Sequence, residues 1–445
     1  MGYIRSFLKT KFINNFSWIV VGRVYQMLIN LVVSMLSARY LGPSNYGLIN
    51  YVASYTSLFT AFCTLGTNDT VVNELMGNRE SEGKLIGTTI FSRICAGILS
   101  VVTVTLLIKN IDPGEPLTLW VALVYSTTLI FQSFETIKYW YQSLLRSKTT
   151  SIISIIAYTV VAVYKIILLI FKKSVVWFAA ANAVDYAVIA VMFVIAYMHD
   201  NGKNQPLSVS FKIGIPFLKK SYHYIISGTM VALYGQMDKI MIGKMMNEED
   251  VGYYSAAIVI YTMWAFVLSA LIDSARTVII PLFKKDKKLY EKRLVQLYCA
   301  IIYVSFAVAA LIVIFAKPII YILYGEHYLP ATNALRVVAW SAAFSYLGVA
   351  RNIWLVQNGQ QKYEKHLALI GVLCNLVMNY FFIKLWGICG AAAATLITQI
   401  ITNCIAGFFF KSIRRNNMLV LKAFNIFAVA KDFLAQRKSG GGGNK

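Results

Sequence analysis

The sequence predicts an all-α polytopic membrane protein, with about 12 transmembrane helices in two parallel six-helix repeats. Three observations carry this. Of 445 residues, 58% are hydrophobic and only 14% charged, more apolar surface than a water-soluble domain can hide. Apolar stretches near ~20 residues, the length a helix needs to cross hydrocarbon, recur along the chain. Basic residues gather in every second connection between those stretches.

The first span is read at 14–38. Arg23, Gln26, Asn30, Ser34 and Ser37 lie three or four residues apart and share one helical face, with Val24, Met27, Leu28, Leu31, Val32, Met35 and Leu36 on the other. An ionised group facing lipid costs several kcal/mol, so the stripe should line a wet cavity or a helix interface. The run Leu41-Gly42-Pro43-Ser44-Asn45-Tyr46-Gly47 then ends the helix with turn-forming residues. The start, MGYIRSFLKTKF, has no cleavage site after a short apolar core, so the first span reads as a signal anchor. Further spans follow at 47–66, 85–108, 117–140, 151–171 and 175–198, then at 222–246, 252–275, 294–315, 332–357, 364–385 and 388–410.

With the N-terminus inside, the cytoplasmic segments carry Arg5, Lys9 and Lys11; Arg79 and Lys84; Arg146 and Lys148; Lys203, Lys212, Lys219 and Lys220; Lys284, Lys285, Lys287, Lys288, Lys292 and Arg293; and Lys362 and Lys365. The opposite side has Arg39, Lys109, Lys172, Lys173, Lys244, Lys317 and Lys384. This bias places both termini in the cytoplasm and accounts for most of the net charge of +23. Nucleic-acid binding is not expected, because no separate basic soluble domain exists to do it.

The chain also repeats. LGPSNYGLINY at 41–51 resembles NEEDVGYYSAA at 247–257, and TLGTNDTVVNELM at 64–76 resembles LIDSARTVIIPLF at 271–283. YQSLLRSKTTSIISIIAYTVV at 141–161 matches VQNGQQKYEKHLALIGVLCNL at 356–376. The order is preserved, which indicates a duplicated unit. Six is an even number of crossings, so both copies run in the same direction. The organisation read is 1–205, a first six-helix bundle; 206–415, a second; and 416–445, a basic amphipathic tail on the cytoplasmic side. Cys63, Cys95, Cys299, Cys374, Cys389 and Cys404 lie in apolar segments without CxxC spacing and are read as small buried hydrophobes. The four histidines have no ligand spacing, and no metal site is expected.

Polar stripes recur inside the spans: Thr128, Gln132, Glu135, Tyr139 and Gln142 in the fourth, and Ser151, Ser154, Tyr158 and Lys165 in the fifth. Serine, threonine and asparagine often only cement helix contacts. Intramembrane charges are more telling. The candidate ligand groups are Arg23, Gln26, Asn30, Arg93, Lys165, Lys239, Arg276 and Arg351. Asp69, Glu135, Asp185, Asp238 and Asp273 would balance charge or carry a coupling ion. Lys239 and Arg276 are candidates for snorkelling instead. A polar cavity between the halves with more cations than anions favours an anionic ligand, and the arginine fork suits phosphate.

ARYLGPSNYGLINYV, LGTNDTVVNEL, QMDKIMIGKMMNEEDVGYYSAA, LYGEHYLPATNALRV and GICGAAAATLITQI resemble, in this order, the Wzx-type oligosaccharide flippases, of the superfamily that includes the MATE exporters. The likeness covers roughly residues 10–412. It implies two bundles forming a V that opens alternately to either side of a bacterial inner membrane. It implies transport of undecaprenyl-diphosphate-linked oligosaccharide units, with no cofactor and H⁺ or Na⁺ as coupling ion. Membrane lipids surround such a protein, and a polysaccharide polymerase and chain-length regulator are its implied partners. Arg23 and Asp69 occupy positions where the family often keeps charges, and Asp238 sits in the DKIMIG motif.

Three rivals are weighed. The lipid II flippase branch would want two additional spans, and the segment after 415 is too short and too charged to supply them. A drug or cation antiporter on the same fold would want an acidic cavity, which the basic excess opposes. A glycan polymerase or ligase would want a long external loop and a catalytic constellation. The external connections are short and no nucleophile–base pair stands out, so no enzymatic activity is expected.

Overall fold

A computed structural model describes residues 2–77, 81–200 and 204–425. Arg79, Lys203 and the tail from 426 onward lie outside the described residues, as do the side chains of Arg5, Lys9, Lys11, Asp69, Lys219 and Lys220. Among the described residues the regular structure is helical throughout, and eight helices are long and apolar enough to cross a membrane. The protein is a multi-pass membrane protein of all-α class.

The main helices are α1 (Gly2–Leu58), α2 (Asn68–Gly77), α3 (Glu82–Ile111), α4 (Pro116–Ser126), α5 (Thr136–Ser143), α6 (Ser147–Ile170) and α7 (Val175–Asp200). They continue as α8 (Phe211–Met245), α9 (Glu248–Met263), α10 (Ala265–Ile279), α11 (Lys287–Tyr324), α12 (Ala331–Val338), α13 (Ser341–Gln357), α14 (Lys362–Ile400) and α15 (Arg414–Ala423). Eight is fewer than the twelve spans read from the sequence, in part because some spans run together. The 57 residues of α1 pass through Gly42 (φ 73°, ψ 171°) and Pro43, and α14 passes through Gly387 (φ 56°, ψ −135°). Both breaks fall between sequence-read spans. A straight α1 would measure ~85 Å, far beyond a hydrocarbon core of ~30 Å, so it cannot be one crossing, and the kink divides it.

The chain divides into two compact units, Met1–Ile240 and Met241–Lys445, within α8 and beyond the junction read at 205. The segment 204–210 stays with the first unit because it is strapped to α3, and Ser221 of α8 donates to Thr70 Oγ1 at 3.2 Å. Ser208 N donates to Gly83 O at 3.4 Å, Ser210 N to Thr88 Oγ1 at 2.8 Å, and Gly83 N to Gln205 Oε1 at 3.3 Å. Tyr197 OH closes the other side by donating to Gln205 O at 2.7 Å. Gly83 and Gly87 share one face of α3, and a β-carbon on either would collide with the strap's backbone.

In the first unit, Val71, Leu75, Ile86, Ile137, Tyr141, Phe193 and Tyr197 form a buried core. In the second, Tyr290, Leu294, Tyr298, Ile301, Leu347, Trp354 and Leu367 do so, joined by Ile413 and Val420 from around the start of the tail. The exterior is apolar as well: Leu99, Ile170, Ile314, Ile322 and Phe409 are each more than 60% exposed, as lipid-facing residues are. Cys63, Cys299 and Cys404 are buried as expected, whereas Cys95 lies on the exposed side of its helix.

The last membrane helix ends in a π-helical stretch, Ile401–Ile405. Widening the helical repeat releases carbonyls. Arg351 Nη1 donates to Thr402 O at 3.1 Å and Asn417 Nδ2 to Cys404 O at 2.9 Å. Tyr298 OH donates to Asn416 Oδ1 at 2.7 Å and Tyr303 OH to Phe424 O at 2.7 Å. Arg415 pairs with Glu291 at 2.6 Å, and that carboxylate holds its guanidinium above the usual arginine range. The start of the tail is therefore packed against α11.

Candidate functional site

The polar stripes of α1 and α6 meet. Lys148 Nζ lies 5.4 Å from the Trp18 ring centre, and Tyr25 OH and Thr159 Oγ1 are 2.6 Å apart. Further on, Tyr40 OH donates to Lys173 O at 3.2 Å. The contacts advance together along both segments, so the two helices run parallel, as first and fifth crossings must. Gly22 lets them approach: a β-carbon there would lie 3.3 Å from Ser151 Cβ.

Two cavities open along this seam. The larger, about 390 Å³, is lined by Gly22, Arg23 and Gln26 of α1, Lys138 and Gln142 of α5, Leu145, and Ser147, Thr150, Ser151, Ser154 and Tyr158 of α6. Its charged side chains are Arg23 and Lys138, both cations. The smaller, about 160 Å³, is lined by Ser34, Ser37, Leu41, Tyr46, Ile49, Asn50 and Ala53, with Tyr125, Lys165, Phe178 and Asn182. The stripe of α1 thus serves one cavity with its first two residues and the other with its last two. Asn30, between them, is exposed.

Lys138 has no place in the stripe read for the fourth span. That span is not one helix. It breaks after Ser126, and Gln132–Glu135 is a 3₁₀ segment. Four residues at the tighter 3₁₀ pitch turn the following helix by roughly 80° more than an α-helix would. Lys138 and Gln142 lie one turn apart on α5, beyond that segment, and share one lining. Lys138 also approaches Glu135 at 3.9 Å, a half-exposed pair worth little in stability.

The other candidates are dispersed. Arg93 is fully buried in the bundle: Nε and Nη2 donate to Thr67 Oγ1 at 3.0 and 2.6 Å, and Nη2 donates to Asn68 Oδ1 at 2.8 Å. Asp185 is partly buried, its Oδ1 has no hydrogen-bond partner among the described residues, and it interacts electrostatically with Lys165 and Glu135. Asp238 and Lys239 are adjacent and partly buried on α8. Asp273 and Arg276 are exposed on α10, and Arg351 is buried in the second unit. The side chain of Asp69 lies outside the described residues.

A polar, cation-lined seam inside helices with an apolar exterior belongs to the class of membrane transporters. It offers binding and shielding of charge within hydrocarbon. The chain belongs to the polysaccharide biosynthesis protein family, whose model matches residues 12–287, and the MatE model matches residues 224–381. A capsular polysaccharide biosynthesis protein, CapF of Staphylococcus aureus, is 16% identical over 90% of this chain and all of its own length. Among solved structures, the lipid II flippase MurJ in an inward closed conformation superposes with a TM-score of 0.71 at 15% identity, covering 92% of both chains. An inward-facing MATE multidrug transporter gives 0.65 at 16% identity, covering 89% of this chain and 96% of its own. A transporter from Pyrococcus furiosus Vc1, described as having a binding pocket of reverse polarity, gives 0.61 at 16% identity over 92% of this chain and 96% of its own. The fold is that of the MATE and MurJ transporters.

Proposed function

We propose that this protein is a flippase for undecaprenyl-diphosphate-linked oligosaccharide units in a bacterial inner membrane, with both termini cytoplasmic. The observation that carries the reading is the larger cavity. Its charged groups are Arg23 and Lys138, and amides and hydroxyls supply most of the remaining lining. A diphosphate cannot enter hydrocarbon unaided, and this lining replaces its hydration with charge-assisted donors. Arg23 takes phosphate oxygens through its fork, Lys138 adds a point charge, and Gln26 and Gln142 donate amide hydrogens. The polyprenyl tail stays in lipid. The lipid II flippase and capsular polysaccharide relatives support a lipid-linked glycan substrate. An H⁺ or Na⁺ gradient would bias two packings of the protein toward opposite openings. A drug-cation antiporter fits less well, because an organic cation would meet like charge in this lining.

The test is translocation of a fluorescent undecaprenyl-diphosphate oligosaccharide in proteoliposomes, with and without imposed H⁺ and Na⁺ gradients. Gradient-dependent arrival of the head group in the opposite leaflet is expected. Arg23→Ala should lower the rate by roughly tenfold or more, the loss of one charge-assisted contact, with insertion unchanged. Arg23→Lys should recover only part of it. A fully active Arg23→Ala variant, or uptake of small organic cations with no glycan movement, would overturn the reading.

A further inference from the structure

The smaller cavity has no part in that reading. Its lining holds one charged group, Lys165, with Ser34, Tyr46, Asn50 and Asn182 around it and Phe178 as an apolar wall. Among the described residues no carboxylate lies within ion-pair distance of the Lys165 ammonium. Asp185 acts on it electrostatically but lines neither cavity. An ammonium held in a membrane bundle without a close counter-charge is costly, and a bound anion offsets that cost. The hydroxyls and amides beside it match sugar hydroxyls as donors and acceptors. A volume of about 160 Å³ is below that of a whole-ligand pocket and suits one ring.

Position adds the rest. The two cavities share the stripes of α1 and α6. From Arg23 to Ser37 is ~21 Å along an α-helix, so one multi-sugar head group can reach both cavities at once. Resting on the flippase reading, we propose that the smaller cavity is a subsite for an acidic sugar of the oligosaccharide. Lys165 holds the ring's carboxylate while Arg23 and Lys138 hold the diphosphate. The transported unit therefore carries a uronic-acid-type residue, and Lys165 selects for it.

The experiment measures binding to the full-length protein in nanodiscs. Three ligands are compared: undecaprenyl diphosphate, the same lipid bearing a neutral oligosaccharide, and that oligosaccharide with one sugar replaced by its uronic acid. The wild-type protein should bind the acidic glycan about tenfold more tightly than the neutral one, the gain from one charge-assisted contact. Lys165→Gln should erase that preference and leave the affinity for undecaprenyl diphosphate unchanged, and Lys165→Arg should keep it. A wild-type protein without acid preference would overturn the subsite and leave the diphosphate site standing. So would a Lys165→Gln variant that weakens all three ligands alike. Undecaprenyl diphosphate that fails to bind would overturn the flippase reading and the subsite with it. The wild-type comparison decides the matter even if a variant does not fold.

Discussion

Arg23 and Arg93 are both arginines in membrane-length helices, and the structure gives them different work. Arg23 is exposed to a cavity, whereas Arg93 is enclosed and directs Nε and Nη2 to Thr67 and Asn68, fixing the turn before α2 to α3. Arg93→Ala should therefore destabilise the protein by roughly 2–4 kcal/mol through lost contacts and a cavity, measured as a lower thermal unfolding midpoint in detergent. Arg93→Lys should not restore it, since one ammonium cannot reproduce the geometry of Nε and Nη2. Stability unchanged in Arg93→Ala would remove this structural role. The sequence could not separate the two arginines. Both lie in apolar surroundings, and what distinguishes them is whether the nearest oxygens come from the protein, a fact of tertiary packing. Arg23, Gln26, Gln142, Ser151, Ser154, Tyr158 and Lys165 were legible because spacing alone puts each on a polar face. Lys138 was missed although it stands four residues before Gln142 on one helix, the spacing that would have found it.

At the scale of elements, hydropathy and turn chemistry locate most helices to within a few residues. The span read at 175–198 is a helix at Val175–Asp200, and that read at 151–171 is one at Ser147–Ile170. The breaks were harder to read. Gly42 is the clearest of those that were legible, since the Leu-Gly-Pro run demands a special dihedral there. Its φ of 73° with ψ of 171° is a region essentially reserved for glycine. A β-carbon at Gly42 would meet open space, so the cost of Gly42→Ala is backbone strain alone, about 1–3 kcal/mol. Circular dichroism melts should show a destabilised but helical protein, and an unshifted melt would mean that the kink relaxes freely. The corresponding turn of the second repeat uses another device: Asn247 caps α9 by accepting from Asp250 N at 2.9 Å. The repeat preserves the position of the turn and changes the chemistry that makes it.

Across the whole molecule, the chain divides into two compact units within α8. The tail reads as an amphipathic segment for the membrane surface, yet its first helix is committed to the second unit through Asn416, Asn417 and Arg415. Truncation after Asn425 keeps every one of those contacts and should leave the unfolding midpoint in place. Truncation before Arg414 strands the Cys404 carbonyl and the buried Tyr298 hydroxyl and should lower it, each unmet buried group costing about 1–3 kcal/mol. Equal melts for the two truncations would show that the tail only rests on the bundle. The strap at 204–210 has a comparable consequence for anyone who would express the repeats as two separate polypeptides. A cut at residue 205, where the repeat arithmetic suggests it, would divide the strap and leave Gly83 and Gly87 facing an open groove. Placed after Ile240, where the compact units part, the cut keeps the strap whole and leaves the first part of α8 with the unit it packs in.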